Sequence, residues 1–374
     1  MSNITNIGWT LGNDCPCHCN HCYSMSVREK GKDLNKNIVD RIISQICTLN
    51  VETVNLGGNE PIFTNGLDIS KSLLPYILMK LNNNNIKVGI TTSGISLVAL
   101  KSKYPESLKY INDVDISLDS PYPVEHNNNR GGDIFKHAIS ALEICNEYNL
   151  DHSIIMCAMK WNFTKDRVDG LIKLCKKYNA NLRFNILKPV RPTLLKDVPS
   201  LEQFNSVYSY ILKLCDTIDM SEPILAGSCN NQKVKGCSCG ISSMRINSIT
   251  PEGTIPVSPC VYMHDFRVGD ILKDDLLDIV NSEQFKKFEI RNKNYKNIEG
   301  CSDCKKSDIC RGGCFAMAYT YKKALTGKED LYAKDPFCDK NFIIDNTCHK
   351  VNNRANFKRL VHENYLCTWI GKPR

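Results

Sequence analysis

The chain has 374 residues, of which 42% are hydrophobic, and its formal net charge is +8. This length suits two domains, one large and one small. Lys and Arg are scattered rather than grouped into a basic run, which argues against a nucleic-acid partner. No segment has the length of a membrane span and the first residues do not form an export signal, so we expect a soluble, cytoplasmic protein without a membrane partner.

Short apolar runs alternate with longer amphipathic runs from residue 6 to about residue 217. The predicted strands are 6–11, 52–57, 86–92, 112–118, 151–158 and 181–187. The predicted helices are 35–48, 69–82, 96–103, 134–148, 164–178 and 201–217. Six strands that are each followed by a helix predict an α/β fold in which a parallel sheet curls into a partial (β/α)6 barrel. The site of such a barrel lies at the carboxyl ends of its strands.

The first group of cysteines follows the first predicted strand. Cys15, Cys19 and Cys22 are spaced Cys-x3-Cys-x2-Cys on one short loop. Three thiolates on one loop can hold three irons of a four-iron cluster and leave the fourth iron open to a small molecule. The alternatives are zinc, disulfides or chance, although a zinc site more often shows two Cys-x2-Cys pairs or added histidines. Cys17 is a surplus thiol, which we interpret as loop packing.

This loop resembles the signature of radical S-adenosylmethionine (SAM) enzymes. The resemblance implies a 4Fe-4S cluster whose open iron chelates SAM, and an electron from this cluster that cleaves SAM to a 5′-deoxyadenosyl radical. It further implies that His21 packs near the SAM adenine and that a flavodoxin or ferredoxin type of protein donates the electron. The loop also lies where the barrel rule places a site.

Motifs at later strand ends are similar to the SAM contacts of this family. The stretch Gly57-Gly58-Asn59-Glu60-Pro61 resembles a Gly-Gly-Glu-Pro motif that contacts the methionyl amino group, with Asn59 inserted. The further candidates are Ser93, Ser117, Asp119, Arg130 and Leu187. The resemblance implies contacts of the two serines and Asp119 with the ribose or the methionyl end, of Arg130 with the SAM carboxylate, and of Leu187 with the adenine.

Three of these positions also have a purely structural interpretation. Glu60 could cap the segment that follows it, Arg130 could face solvent from its Asn- and Gly-rich loop, and Leu187 could be plain core. Cys157, on the fifth strand, is either a packing residue or a thiol that donates hydrogen to a substrate radical.

A second field of cysteines begins after residue 225, where the alternation stops. Its most restrictive part is the block Cys301-x2-Cys304-x5-Cys310-x3-Cys314, which resembles the SPASM extension of radical SAM enzymes, a small domain with two auxiliary 4Fe-4S clusters. The resemblance assigns one cluster to Cys239, Cys260 and Cys314 with either Cys229 or Cys237. It assigns the other cluster to Cys301, Cys304 and Cys310 with either Cys338 or Cys348. Two structural zinc sites are the alternative.

The resemblance covers nearly the whole chain. It divides the chain into a radical SAM core barrel at 1–220, a small cysteine-rich SPASM-like domain at 225–350 and a C-terminal tail at 351–374. Family members with two auxiliary clusters mostly modify ribosomally made peptides or proteins by a crosslink, a thioether or an oxidation, so we expect a peptide or protein substrate. The alternatives are oxidation or rearrangement of a small metabolite and, in another class, a non-catalytic iron-sulfur electron carrier.

Overall fold

The structure, a computed structural model, describes residues 3–24, 30–263, 266–344 and 367–374. Its strands are β1 (Asn6–Leu11), β2 (Thr53–Gly58), β3 (Thr64–Leu67), β4 (Lys87–Thr92), β5 (Asp113–Ser117), β6 (Asp151–Ala158), β7 (Asn181–Ile186), β8 (Cys215–Met220), β9 (Ser243–Ile246), β10 (Val257–Ser258) and β11 (Trp369–Pro373). Its helices are α1 (Lys36–Cys47), α2 (Leu74–Asn83), α3 (Ile95–Lys103), α4 (Pro123–Arg130), α5 (Phe135–Glu147), α6 (Lys165–Tyr178), α7 (Leu201–Leu214), α8 (Pro223–Ser228), α9 (Leu276–Asn281), α10 (Glu283–Lys293), α11 (Ser307–Cys310) and α12 (Phe315–Thr326). Within these described ranges, no helix is long and apolar enough to cross a lipid bilayer.

One sheet organises the molecule, with the strand order β10-β9-β1-β2-β4-β5-β6-β7-β11-β8. The strands β1, β2, β4, β5, β6 and β7 are parallel to one another. Helices connect them in the chain, as parallel pairing requires, because each strand must return to the same end of the sheet before the next begins. The predicted α/β class with six parallel strands is therefore confirmed, and their carboxyl ends meet at one edge.

Helix α1 illustrates how the sequence pattern produces this core. The side chain of Asn35 accepts a hydrogen bond from the backbone N–H of Ile38, which satisfies one of the free donors of the first turn. The buried stripe of the helix consists of Val39, Ile42, Ile43 and Ile46. Strands β1 and β7 are buried at every position, as expected for parallel strands that are covered on both faces.

The structure corrects two predicted helices and extends the sheet. The predicted helix 69–82 begins only at Leu74, because Ile69–Lys71 form a separate turn of 3-10 helix. The predicted helix 201–217 is too long, because α7 ends at Leu214 and Cys215–Met220 form strand β8. Strand β8 pairs antiparallel with β11, so pairing with a distant segment overrides the local helical pattern. Strand β9 lies parallel to β1 on the other side of the sheet, and no sequence pattern predicted it.

The end of the chain forms part of the sheet, although the sequence pattern indicated only a tail. Strand β11 lies between β7 and β8 and pairs antiparallel with both. Trp369 is fully buried and stacks on Phe184 at 5.7 Å between ring centroids. The hydroxyl of Thr368 donates to the carbonyl of Phe184 at 2.7 Å, which fixes the start of the strand. The limits 1–220, 225–350 and 351–374 stay predictions, and strands from all three ranges share this sheet.

Trp369→Ala should destabilise the whole fold, because it removes a fully buried aromatic side chain from β11, a strand that is paired on both sides. Core substitutions of this size cost about 3–5 kcal/mol of unfolding free energy. We expect a clear drop in the thermal midpoint, followed by circular dichroism. Leu325→Ala is the matched control, since Leu325 is 61% exposed and its removal should leave the midpoint nearly unchanged. Equal midpoints for the two variants would contradict a structural role for β11.

Candidate active site

A pocket of about 150 Å³ opens at the carboxyl ends of the parallel strands. The residues predicted from the sequence that line it are Cys15, Cys19, His21, Cys22, Gly58, Glu60, Ser93, Ser117, Arg130 and Leu187. The two other predicted SAM contacts, Gly57 and Asp119, do not line the pocket, and Asp119 is fully buried. The fold thus brings together groups that are separated by more than a hundred positions in the sequence.

The cysteine loop is held against helix α4. The backbone N–H of His18 donates to the carbonyl of Arg130 at 3.0 Å, and the backbone N–H of Cys22 donates to the carbonyl of Cys19 at 3.2 Å. Gly131 ends α4 with a φ of +67°, and a side chain there would meet the Cβ of His18 at 3.0 Å. Only glycine combines this left-handed backbone with so close an approach.

Cys17 lies between two of the predicted iron ligands. Its buried thiol hydrogen-bonds to Cys15 and Cys19, and this contact lowers the pKa of both of those thiols, for Cys19 to about 5 with further help from Arg130. Burial raises the pKa of Cys22 to about 12. Because only thiolates bind iron, a metal would have to displace the proton that Cys22 retains, whereas Cys19 already favours the thiolate.

A buried ion pair lies beside the loop. The Oδ2 atom of Asp119 accepts hydrogen bonds from Arg130 Nε at 2.7 Å and from Asn129 Nδ2 at 2.8 Å, and its Oδ1 atom accepts one from the backbone N–H of Cys157 at 3.1 Å. Burial opposes ionisation, but the positive charge of Arg130 outweighs it and holds the pKa of Asp119 at about 2. Arg130 is therefore fixed, with Nη1 4.0 Å from the sulfur of Cys19, and does not face solvent as one interpretation of the sequence had it.

The side chain of Glu60 lines the pocket and also caps the start of helix α3. Its two carboxylate oxygens accept hydrogen bonds from the backbone N–H groups of Ser93 and Ser96, each at 2.9 Å, and from the hydroxyls of these serines and of Thr92. This arrangement satisfies free donors at the start of α3. The neighbouring Asn59, which departs from the family motif, donates to the carbonyl of Gly12 at 2.6 Å and so ties β2 to the cysteine loop.

One wall of the pocket contains residues that sequence analysis did not single out. Tyr23 and Tyr262 contact each other edge to face at 4.9 Å between ring centroids, and the ammonium group of Lys188 lies 5.2 Å from the Tyr262 ring. Cys157 also reaches this pocket, as one interpretation of the sequence proposed. The sequence signal that could have identified the two tyrosines was their closeness to predicted cluster ligands. Tyr23 directly follows Cys22, and Tyr262 lies two residues after Cys260.

A second group of thiols lies behind this wall. Cys237, Cys314 and Cys367 are buried, and their sulfur atoms all lie within 4.8 Å of one another. Cys239 hydrogen-bonds to Cys237 and to Cys260. Cys229 ends α8 and is not part of this compact trio. Cys367 was absent from the ligand sets that the sequence indicated.

The remaining predicted ligands form a third group. Burial, reinforced by the neighbouring Cys301, Cys338 and Cys304, raises the pKa of Cys310 to about 12, so these four thiols lie within electrostatic range of one another. Gly313, with a φ of +78°, lets the loop between Cys310 and Cys314 approach Asp335, which accepts a hydrogen bond from the backbone N–H of Cys314 at 2.9 Å. Cys348 lies outside the described residues.

The donor set of the N-terminal loop fits an iron-sulfur cluster with one open iron. The sulfurs around one tetrahedral zinc ion would be about 3.8 Å apart, given Zn–S bonds of ~2.3 Å. Among the described residues, only the trio of Cys237, Cys314 and Cys367 approaches that spacing, whereas the N-terminal loop offers three thiols around an open pocket. Three ligands and free space in front of them are what a cluster with one open iron requires.

Comparison with known proteins agrees with this geometry. The sequence matches the radical SAM superfamily over residues 9–175 and the SPASM iron-sulfur cluster-binding domain over residues 237–305. It is 26% identical to the mycofactocin maturase MftC of Mycolicibacterium smegmatis over 86% of this chain and 80% of that protein. It is 24% identical to the cysteine-type anaerobic sulfatase-maturating enzyme of Clostridium perfringens over 80% of this chain and 85% of that protein.

Solved structures share the fold. The anaerobic sulfatase-maturating enzyme anSMEcpe with bound AdoMet superimposes with a TM-score of 0.61 at 16% identity, over 89% of this chain and 94% of that chain. SuiB of Streptococcus suis, bound to the precursor peptide SuiA, gives a TM-score of 0.62 at 17% identity, over 92% of this chain and 76% of that chain.

The fold and the thiol loop thus agree with a protein of the radical SAM class. More specifically, the chain carries a radical SAM domain over residues 9–175 and a SPASM domain over residues 237–305, as the sequence motifs predicted. Its cofactors are accordingly SAM and iron-sulfur clusters.

Asp119→Asn should destabilise the protein, because it leaves the guanidinium of Arg130 buried without its countercharge. Breaking a buried pair in this way costs about 3–5 kcal/mol. The double variant Asp119→Asn/Arg130→Met should recover part of the loss, as thermal unfolding of the four members of the cycle would show.

The control for this cycle is Asp133→Asn, which breaks the exposed ion pair with Lys136. Exposed pairs contribute at most about 1 kcal/mol, so this change should hardly move the midpoint. A loss at Asp119 no larger than that at Asp133 would contradict the importance of the buried pair.

Proposed function

We propose that the protein is an enzyme that uses a SAM-derived radical to modify a ribosomally made peptide or protein by a crosslink, a thioether or an oxidation. Bound at the N-terminal loop, the cluster and SAM would supply a 5′-deoxyadenosyl radical that takes a hydrogen atom from the substrate. The observation that carries the proposal is the pocket of about 150 Å³ that the cysteine loop shares with the carboxyl edge of the parallel strands and with Lys188 and Tyr262.

The roles of the residues around SAM follow from their placement. Cys15, Cys19 and Cys22 would hold three irons of the cluster. Arg130, fixed by Asp119 beside the sulfur of Cys19, would pair with the carboxylate of SAM, since a guanidinium suits a planar anion. The further SAM contacts that we propose are Gly57, Gly58, Glu60, Ser93, Ser117, Leu187 and His21. Glu60 would act chiefly through the backbone it positions, because its oxygens already accept several hydrogen bonds.

Two auxiliary 4Fe-4S clusters complete the proposal. The first draws on Cys237, Cys239, Cys260 and Cys314, and the second on Cys301, Cys304, Cys310 and Cys338. Cys260 directly precedes Val261 and Tyr262 of the pocket wall, so the first auxiliary cluster would border the substrate. A cluster in that position could accept the electron that remains when a substrate radical is oxidised.

A peptide substrate is supported by what the relatives are named for. The first relative is a maturase of mycofactocin, and one matching structure contains a precursor peptide. We further propose a flavodoxin or ferredoxin type of electron donor and a cytoplasmic location. In the cytoplasm the many thiols of the chain would stay reduced and available to iron.

Cys19→Ala should abolish SAM cleavage. With anaerobically reconstituted protein, dithionite and SAM, we expect 5′-deoxyadenosine from the wild type and only background from the variant, because one cluster ligand is gone. The control is Cys47→Ala, which removes an exposed thiol at the end of α1 and should leave turnover unchanged. Full turnover in Cys19→Ala would contradict the proposed cluster site.

The substrate class can be tested in the same assay. Candidate peptides encoded beside the gene are added, and mass spectrometry follows their loss of hydrogen together with the release of 5′-deoxyadenosine. A modified peptide supports the proposal. Consumption of small metabolites alone, with every peptide unchanged, would contradict it.

Metal analysis tests the number of clusters. Three four-iron clusters predict about twelve irons per chain, and Cys304→Ala should lower this to about eight. Cys145→Ala, which removes a buried thiol on α5 away from the three groups, should keep the full content. Zinc in place of iron in anaerobically prepared protein would contradict the assignment.

A further inference from the structure

Four polar side chains line the pocket without a role in the proposed binding of SAM. We call them the pocket floor: Asn55, Thr91, Asp115 and Asn185. Each of them precedes a proposed SAM contact by two positions in the sequence, and these contacts are Gly57, Ser93, Ser117 and Leu187. Alternate residues of a strand point to the same face, and two residues span ~7 Å. The floor therefore lies deeper between the strands than the SAM contacts, next to the place where SAM would lie.

A buried ion pair holds the floor and cancels its charge. Nη1 of Arg183 donates to Oδ2 of Asp115, and Nε of the same guanidinium donates to the hydroxyl of Thr368 at 3.2 Å. Both Arg183 and Thr368 are fully buried. Nδ2 of Asn55 donates to the hydroxyl of Thr91 at 3.1 Å. Because Asp115 is already paired, a charged group that entered here would find no countercharge of its own, and its burial would be costly.

Asn185 offers an unused hydrogen-bond acceptor in this floor. Its side chain lines the pocket although the residue is only 8% exposed. Among the residues that the structure describes, no donor lies within hydrogen-bond distance of its Oδ1 atom. A buried oxygen without a partner is costly, so a ligand that brings an N–H or O–H group to this atom gains free energy.

We propose that the pocket floor is a subsite that selects the substrate, in which Asn185 accepts a hydrogen bond from a neutral side chain with an N–H or O–H donor. This side chain belongs to the residue from which the SAM-derived radical takes hydrogen, because the floor adjoins the SAM contacts. The inference rests on the proposed function and deepens it, since it states the chemistry of the reacting residue.

The test compares two peptides with two forms of the enzyme. The first is the peptide encoded beside the gene that the wild type modifies. The second is a synthetic copy whose modified residue lacks only the donor, such as phenylalanine for tyrosine, alanine for serine or leucine for asparagine. The release of 5′-deoxyadenosine gives kcat/KM for each peptide with the wild type and with Asn185→Leu.

Loss of the donor should lower kcat/KM of the wild type about tenfold to a hundredfold, because Asn185 is then left buried without a partner. Asn185→Leu should lower kcat/KM for the first peptide by a similar factor. The second peptide should lose little more in the variant, because both changes remove the same hydrogen bond. The matched control is Asn181→Leu, which changes a buried asparagine of the same strand outside the pocket and should leave the preference of the wild type intact.

An equal loss for both peptides in Asn185→Leu would indicate a merely structural role and would overturn the inference. A modified residue that is charged, or that has no N–H or O–H donor in its side chain, would overturn it as well. If circular dichroism shows that Asn185→Leu does not fold, Asn185→Ala provides the same comparison, because its smaller side chain fits the same space. Absence of any modified peptide would instead refute the proposed function, so the two failures are distinguishable.

Discussion

The buried carboxylate of Asp119 is the group on which the arrangement of the site depends. It follows β5, accepts hydrogen bonds from Arg130 and Asn129 at the end of α4, and accepts another from the backbone of β6. Arg130 in turn accepts a hydrogen bond from His18 through its carbonyl, so one charge connects the sheet to the cysteine loop. Because an unpaired charge in the interior is costly, these segments can take only the arrangement in which the pair is made.

The pocket lies near two thiol groups in this arrangement. The cysteines of the loop after β1 line it, and Lys188, which also lines it, lies within electrostatic range of Cys260, Cys314 and Cys367 of the other group. The parallel sheet provides the first group, whereas segments from the second half of the chain provide the second. The end of the chain closes the structure by inserting β11 between β7 and β8.

The sequence was sufficient to predict those features of the fold and of the site that depend on local patterns of residues. Alternating apolar and amphipathic runs predicted the six parallel strands, each to within a residue or so, and cysteine spacing predicted the loop and the domain that comparison confirmed. Strands β8 and β11 were not predicted, because their pairing joins segments about 150 residues apart, which no local pattern encodes. The position of Cys367 beside the other thiols was not predicted either, since a single cysteine before a short strand has no spacing pattern. The cap formed by Glu60 was only one of two interpretations until the structure placed Ser93 and Ser96, at the start of α3, around its carboxylate.

The central claim is that three thiolates on the first loop hold a cluster whose open iron binds SAM. Electron paramagnetic resonance of the reduced protein, recorded before and after addition of SAM, tests this claim most directly. We expect SAM to change the signal of one cluster, in the wild type and equally in Cys304→Ala, because the responding cluster is the one at the N-terminal loop. A spectrum that SAM leaves unchanged, in protein with its full iron content, would contradict the account.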